Sequence, residues 1–265
     1  MEKFLKGRRY AKKMTLSLNI KRNLNMGQIY EIYKFELLLQ KKRYIIFLIL
    51  SLLIYNLFAF FSMAAPNAIS FVVSAINQLG SFLMLICIFF VGGIIAEEFD
   101  KRTALTNFTK TGRDNFFIGK SLAAFTVVLF WIGPAFMETI VFCLILYGEV
   151  PFQLFIWFGY YCLVGGMYTG IYLLHSAIFR SGSQAMAMGF FTFIALIIAF
   201  GILGAFFGLW YLFPIFTEIA ATAIFSGPSY EEGMVINVYF GVIISLAYMI
   251  PCIILAYFQF KRRDV

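Results

Sequence analysis

Long apolar runs separated by short polar segments make up most of the chain. A helix that crosses a bilayer needs roughly 20 apolar residues, and six runs are close to or above that length. We therefore predict an all-α, polytopic membrane protein. Its spans are predicted at about 44–65, 79–96, 121–147, 154–179, 185–209 and 235–260. Pro66–Gln78 and Gly148–Gln153 are predicted as outer turns, and Arg180–Gln184 as a tight turn.

The segment ahead of the first span has a helical pattern rather than a continuous apolar one. Apolar residues recur every three or four positions, at Met26, Ile29, Tyr30, Tyr33 and Leu37. We predict an amphipathic helix at 26–43 that lies in the membrane plane.

The first 25 residues are predicted as a basic cytoplasmic tail. Met1–Arg22 contains eight Lys/Arg and a single acid, Glu2. Such a tail is attracted to the anionic inner leaflet of a membrane. A cleaved targeting peptide has a similar composition and is the alternative.

The basic residues all fall on one side of this predicted topology. Twelve of the 21 Lys/Arg precede the first span and five lie between the second and third spans; the others are Arg180 and the three of Lys261–Arg263. Because basic residues favour the cytoplasmic face, we predict a multi-pass cell-membrane protein with both termini in the cytoplasm and a short tail at 261–265. Composition agrees, since 62% of the residues are hydrophobic, 13% are charged and the mean hydropathy is +0.87.

One outer segment, Trp210–Met234, is too long and too apolar for an ordinary loop. Its apolar arms, about 8–10 residues each, are too short to cross a bilayer. Backbone at such depth must be covered by protein. We predict one or two short re-entrant helices before the sixth span, with Glu231 and Glu232 at the water boundary.

The long polar segment in the middle of the chain is Glu97–Lys120, between the second and third spans. A short helix here would pass force directly into both spans. We therefore predict a cytoplasmic coupling helix on which a soluble partner docks. The candidate docking residues are Glu97, Glu98, Asp100, Arg102, Arg113, Asp114, Phe116 and Phe117.

These residues have distinct predicted roles. Asp114 is predicted to cap the helix that enters the third span. The acids Glu97, Glu98 and Asp100 are predicted to pair with Lys101, Arg102 or basic residues of the in-plane helix. Apolar side chains are predicted to fill a groove of the partner: Leu105, Phe108, Phe116 and Phe117. The alternative is a solvated loop whose charges only fix the topology.

Inside the spans, polar and small residues carry the remaining signals. Glu138 is predicted either to hydrogen-bond a neighbouring helix or to form a polar point on a substrate path, since an unpaired carboxylate there is costly. Small residues four apart mark close helix packing, within one copy of the chain or between two: Gly166 with Gly170, and Gly204 with Gly208. His175 is predicted as a packing residue.

Two catalytic patterns are incomplete. Glu97-Glu98-x-x-x-Arg102 matches the first motif of intramembrane metal-dependent prenyl-protein proteases, but those enzymes need several histidines and this chain has only His175. Gly119-Lys120-Ser121 resembles the end of a phosphate-binding loop, but Asp114 stands where that loop needs glycine. We therefore predict no catalytic residues, no metal site and no nucleotide site in this chain.

From about Met26 onward, the chain resembles a transmembrane subunit of the type-2 family of ATP-binding-cassette exporters. The resemblance includes the in-plane helix, six spans and a re-entrant element before the sixth. It is sharpest in the first cytoplasmic loop, in the pairs Glu97-Glu98, Arg102-Thr103, Gly112-Arg113 and Gly119-Lys120. Gly112 and Asp114 depart from the proline and hydroxyl residue that are frequent at that turn.

The resemblance implies a transporter subunit driven by two separate ATPase subunits, which bind ATP and Mg²⁺ and dock on residues 97–120. It also implies a second, identical or similar permease subunit, with spans two and five at the seam, surrounded by membrane lipids and without nucleic acid. The mostly apolar lining favours export of an amphipathic or hydrophobic substrate. A membrane-embedded enzyme or scaffold without transport is the alternative.

Overall fold

The computed structural model describes residues 24–62, 65–101, 103, 111–231 and 234–263, and it is an all-α fold with one small hairpin. The long helices are α1 (Met26–Ser62), α2 (Ala68–Ile86), α4 (Arg113–Tyr147), α5 (Gln153–Ile178), α6 (Gly182–Phe207) and α9 (Val238–Arg262). The short elements are α3 (Ala96–Asp100), α7 (Phe216–Ala220), α8 (Ala223–Ser226) and the antiparallel strands β1 (Ser229–Glu231) and β2 (Met234–Ile236).

Within the described part of the chain, five helices are long and apolar enough to cross a membrane. They are Phe82–Asp100, Arg113–Tyr147, Gln153–Ile178, Gly182–Phe207 and Val238–Arg262. This finding confirms the membrane class. The predicted first span, 44–65, lies in the second half of α1 and continues past that helix's described end. The six-span topology therefore stays a prediction.

No helix end separates the predicted in-plane helix from the predicted first span, because α1 is a single helix of 37 residues; the in-plane placement of residues 26–43 stays a prediction. The Lys41–Arg43 cluster at the expected boundary consists of good helix formers, and no Gly, Pro or capping residue interrupts the chain there. Charge changes at that point, while backbone conformation does not.

The predicted outer turn Pro66–Gln78 is also wrong beyond its first two residues. Asn67 caps α2, and its side-chain oxygen accepts a hydrogen bond of 2.8 Å from the Ser70 backbone N–H. After this cap no glycine or proline occurs until Gly80, so the helix starts well before the predicted span.

Helix α5 lies at the centre of the bundle, where glycines allow close approach. A side chain on Gly165 would meet Val128 and Ile132 of α4, and side chains on Gly166 and Gly170 would meet Met249 of α9. Several large α5 side chains are fully buried: Trp157, Tyr161, Tyr168 and Tyr172.

Helix α6 has a different environment, because most of its side chains are exposed and its buried residues are mainly small. Gly204 lies against the Trp210 ring. Gly208 ends the helix with a left-handed φ of 65°, a conformation that glycine adopts without strain. This glycine pair therefore serves packing and capping within one chain.

Between α6 and α9 lie two short helices, in line with the prediction of one or two. They follow a 3₁₀ turn at Trp210–Leu212; α7 packs on α9 and α8 packs on α5, with Phe216 and Ala220 fully buried beside Ile244. We name Phe216–Ser226 the outer cap. The side chains of Glu231 and Glu232 lie outside the described residues.

Candidate functional site

The predicted docking segment is helical at both ends of its described portion. Glu97–Asp100 belongs to α3, which is the last turn of the apolar segment Phe82–Asp100, and Arg113–Lys120 forms the first turns of α4. Arg102 and residues 104–110, with Leu105 and Phe108, lie outside the described residues. The coupling helix itself therefore stays a prediction.

Lys120 is the centre of a buried ion cluster at this end of the bundle. Its Nζ lies 2.6 Å from Glu36 Oε2 of α1 and 2.9 Å from Glu98 Oε1 of α3, and it donates a 3.0 Å hydrogen bond to the Ile94 carbonyl. The three side chains are only 4%, 7% and 12% exposed, for Lys120, Glu36 and Glu98 respectively. Buried ions are tolerated when partners of this kind surround them. We call Glu36, Glu98 and Lys120 the Lys120 cluster.

A break in the second span places Ile94 next to Lys120. Cys87–Val91 forms a π-helical turn, and a non-helical turn follows before α3 begins. The freed backbone groups still find partners, because Ser176 Oγ of α5 accepts from the N–H groups of Ile95 (2.8 Å) and Ala96 (3.1 Å). Side chains of α4 and α5 therefore stabilise the break.

A more exposed shell of charges surrounds the Lys120 cluster. Glu97 pairs with Lys101 at 3.0 Å and with Arg43 of α1 at 3.5 Å, so Glu97 has both kinds of partner predicted for it. Glu98 pairs with Lys120, and the Asp100 side chain is exposed. The Lys120 cluster was not predicted from the sequence. The one indication of it in the sequence is Glu36, an acid inside an apolar stretch.

Asp114 does not cap α4, and that prediction is wrong. Gly112 is the N-cap residue, with φ 77° and no side-chain cap, which places Asp114 inside the first turn. Its carboxylate accepts from Tyr257 Oη at 2.8 Å and from Lys261 Nζ at 3.4 Å, both on α9. The residue therefore joins α4 to α9, and its charge suits the positive end of the α4 dipole.

Phe116 and Phe117 do not offer exposed apolar side chains to a partner, and that prediction is wrong as well. They are 2% and 4% exposed. The Phe116 ring stacks on Phe260 with 6.1 Å between centroids, and Phe117 packs on Phe260 and Tyr257 at 5.5 Å. These rings hold α4 and α9 together next to the Lys120 cluster.

The predicted C-terminal tail at 261–265 begins too early, since α9 continues to Arg262. Arg113 Nη1 donates to the Lys261 carbonyl at 3.0 Å. The Arg263 guanidinium donates to the Phe179 carbonyl at 2.7 Å and lies 3.8 Å from the centre of the Phe99 ring. The end of α9 is thereby bound to α3, α4 and the end of α5.

Glu138 has the kind of partner that the structural interpretation predicts. Asn56 of α1 donates to its carboxylate, and one residue further Tyr55 and Thr139 form a 2.6 Å hydrogen bond between the same two helices. His175 similarly joins α5 to Thr192 of α6 at 3.1 Å. A path role for Glu138 stays a prediction.

A second carboxylate at the opposite end was missed from sequence. Glu218 of the outer cap lies against Gly80 of α2 and accepts a 2.6 Å hydrogen bond from Tyr168 Oη, while Tyr160 Oη donates to the Thr217 carbonyl at 2.6 Å. Burial raises the pKa of Glu218 to about 7, and the Tyr168 hydrogen bond opposes the shift. The sequence signal was a lone acid in an apolar segment.

Within the described residues, no three His, Cys, Asp or Glu side chains form a group able to hold a metal ion. The chain matches no protein-family model, and no curated protein matches it. The features that bear on function are therefore the ion-paired end of the bundle, the outer cap and the apolar helices between them.

Proposed function

We propose that the chain is the transmembrane subunit of an ABC transporter, an exporter of an amphipathic or hydrophobic substrate. The observation that carries the proposal is the ion-paired end of the bundle. There Lys120, Asp114 and Arg263 bind α1, α3, α4, α5 and α9 into one unit. A contact this stiff is what an external motor needs in order to move several spans together.

In this proposal two ATPase subunits carry ATP and Mg²⁺ and dock at residues 97–120 on the cytoplasmic side. Both termini and the Lys120 cluster then lie in the cytoplasm, and the outer cap lies at the other surface as a re-entrant element. Of the candidate docking residues in the described part, Asp100 has an exposed side chain, whereas the buried Phe116 and Phe117 act by positioning.

A second permease subunit completes the proposed pathway. Helix α6, which is the predicted fifth span, supports this, because its long apolar side chains face away from the rest of the chain: Phe190, Phe191, Ile197, Ile198 and Phe206. The Trp210 ring fills the space beside Gly204, so the contact between two subunits would be made by these larger residues. Lipid would cover the same surface in a monomer.

Co-purification of the chain with an ATPase subunit tests the proposal. Reversing the exposed charge in Asp100→Lys should reduce the recovered ATPase several-fold while the melting temperature of the permease stays the same. Glu149→Lys, an equally exposed acid at the far end of α4, is the matched control and should retain the ATPase. Equal recovery with both variants would show that the ATPase does not dock on this segment. Failure to recover any ATPase with the native chain would contradict the transporter proposal.

A further inference from the structure

A polar cavity of about 150 Å³ opens beside the Lys120 cluster, between α1 and the broken second span. Three basic and three acidic side chains line it: Arg43, Lys101, Lys120, Glu36, Glu97 and Glu98. The charges are sorted by depth. The floor holds the Lys120 cluster, with two carboxylates and one ammonium group, whereas Arg43 and Lys101 at the rim are 71% and 64% exposed.

The floor has an excess of acceptors. Gln40 donates its amide N–H to Glu36 Oε1 at 2.7 Å, which fixes the amide orientation, because the flipped amide would place its oxygen against the carboxylate. Among the residues that the structure describes, the Gln40 Oε1 atom then has no hydrogen-bond partner, and it is buried. A buried acceptor in this state costs about 1–3 kcal/mol. Together with the buried Glu36 carboxylate beside it, it favours a small group that is cationic and carries N–H donors.

The rim has the opposite preference. In the described part of the chain, Arg43 and Lys101 pair with the same carboxylate, that of Glu97, and both side chains are mostly exposed. Guanidinium and ammonium groups in this arrangement favour an anion such as a phosphate. Beside the cavity, Leu39 and Phe89 expose 57% and 51% of their surface, and both lie close to the charged end of apolar helices. Acyl chains at a membrane surface would cover such side chains.

We propose that this cavity binds the headgroup of an aminophospholipid of the ethanolamine type. Its primary ammonium group enters toward Gln40 and Glu36, and its phosphate remains at Arg43 and Lys101. A choline headgroup has no N–H donor for Gln40, and a glycerol headgroup has no cation for the floor, so the site distinguishes the three. The inference concerns the isolated chain and does not depend on the transport proposal.

Lipid binding to the purified chain in detergent tests the proposal, by native mass spectrometry with lipids of matched acyl chains. Phosphatidylethanolamine should bind about tenfold more tightly than phosphatidylcholine or phosphatidylglycerol, the difference that one charge-assisted hydrogen bond provides. Free phosphoethanolamine, as a competitor, separates headgroup recognition from the contribution of the acyl chains. If it displaces the lipid fully at equal concentration, the ligand is a soluble headgroup compound and the lipid assignment is wrong.

Two variants locate the site. Arg43→Gln with Lys101→Gln should lower phosphatidylethanolamine affinity about tenfold, whereas Lys41→Gln with Lys42→Gln, which removes two neighbouring exposed charges outside the cavity, should leave it unchanged. Gln40→Met should lower phosphatidylethanolamine affinity and so reduce its preference over both other lipids. Melting temperatures without added lipid show that each variant is folded. Equal binding of the three lipids, or equal loss in both double variants, would overturn the proposal.

Discussion

Lys120 has a buried ammonium group because acceptors reach it from two other helices and from a broken stretch of backbone. Such an ion is costly once a partner is lost, since the desolvation has already occurred. Glu218, at the other end, is largely enclosed by its neighbours, but its hydrogen-bond donor is a neutral tyrosine. Burial therefore leads to ion pairing at one end of the molecule and to a raised carboxyl pKa at the other.

Removing the ammonium group while keeping the side-chain length, in Lys120→Met, should leave Glu36 and Glu98 buried without their cation. We expect a loss of about 3–5 kcal/mol of stability, measured as a lower denaturation midpoint in detergent. Lys101→Met removes an exposed cation that pairs with Glu97 and should cost less than about 1 kcal/mol. Similar midpoints for the two variants would show that the Lys120 cluster is hydrated.

Glu218 predicts a pH dependence with a definite sign. Its pKa is raised from 4.5 to about 7 in the folded protein, so the folded state binds the proton more tightly than the unfolded state. The stability linked to this proton is fully present below pH 4.5 and is lost as the pH rises through about 7. In magnitude it amounts to about 1–3 kcal/mol, because the side chain is not completely enclosed.

Glu218→Gln replaces the carboxyl group by a neutral group of the same shape. The variant should match the native chain at low pH and exceed its stability above pH 7, as measured by thermal denaturation across the pH range. Glu149→Gln, which alters an exposed acid in an outer turn, is the control and should give parallel curves. A native profile that rises between pH 5 and 8 would contradict the assignment to Glu218.

At the scale of elements, runs of hydrophobicity predicted long apolar helices, and five helices in the described part of the chain are long and apolar enough to cross a bilayer. Boundaries were less predictable. The helix predicted at 26–43 continues into the predicted first span as one helix, because the charges of Lys41–Arg43 do not break it. Phe116 and Phe117 were assigned to a partner because their burial against α9 depends on a contact across more than 140 residues of sequence, which no local pattern reveals.

The seam between α4 and α9 should depend on the stacked pair Phe116 and Phe260. Phe116→Ala leaves a cavity there and should cost about 3–5 kcal/mol, seen as a lower denaturation midpoint. Phe130→Ala on the same helix removes a side chain that is 60% exposed and should have little effect. Equal midpoints would show that the packing at this end is loose, and would return Phe116 to the set of residues free to meet a partner.

At the scale of the whole molecule, the two ends differ in a way that the sequence showed only in part. The distribution of Lys and Arg along the sequence predicted that these residues gather at one end of the molecule. The ion pairs that join α1, α3, α4 and α9 could not be predicted in this way, because each brings together residues from distant parts of the chain. Glu218 was overlooked for the same reason, since its tyrosine donor is 50 residues earlier.

The exposed face of α6 predicts a dimer in the membrane. In a background without Cys162 and Cys252, a cysteine introduced by Phe191→Cys or Ile198→Cys should cross-link two copies, or this chain and a similar subunit. Ile145→Cys, on a side chain of α4 that is 74% exposed, is the control and should give monomers. Monomers alone from every variant, in a complex that remains active, would rule out α6 as the seam.

The π-helical turn at Cys87–Val91 and the non-helical turn after it together set the direction in which the side chains of α3 point. Its five-residue hydrogen bond, from the Gly92 N–H to the Cys87 carbonyl at 3.0 Å, accommodates one residue more than an α-helical turn holds. Since each residue turns an α-helix by about 100°, deleting one residue here would convert the turn to regular helix and rotate α3 by roughly that angle. Glu98 would then face away from Lys120. The extra residue lets the apolar side chains before the turn face the core of the bundle while Glu98, after it, faces Lys120. A uniform helix of this sequence could not make both contacts.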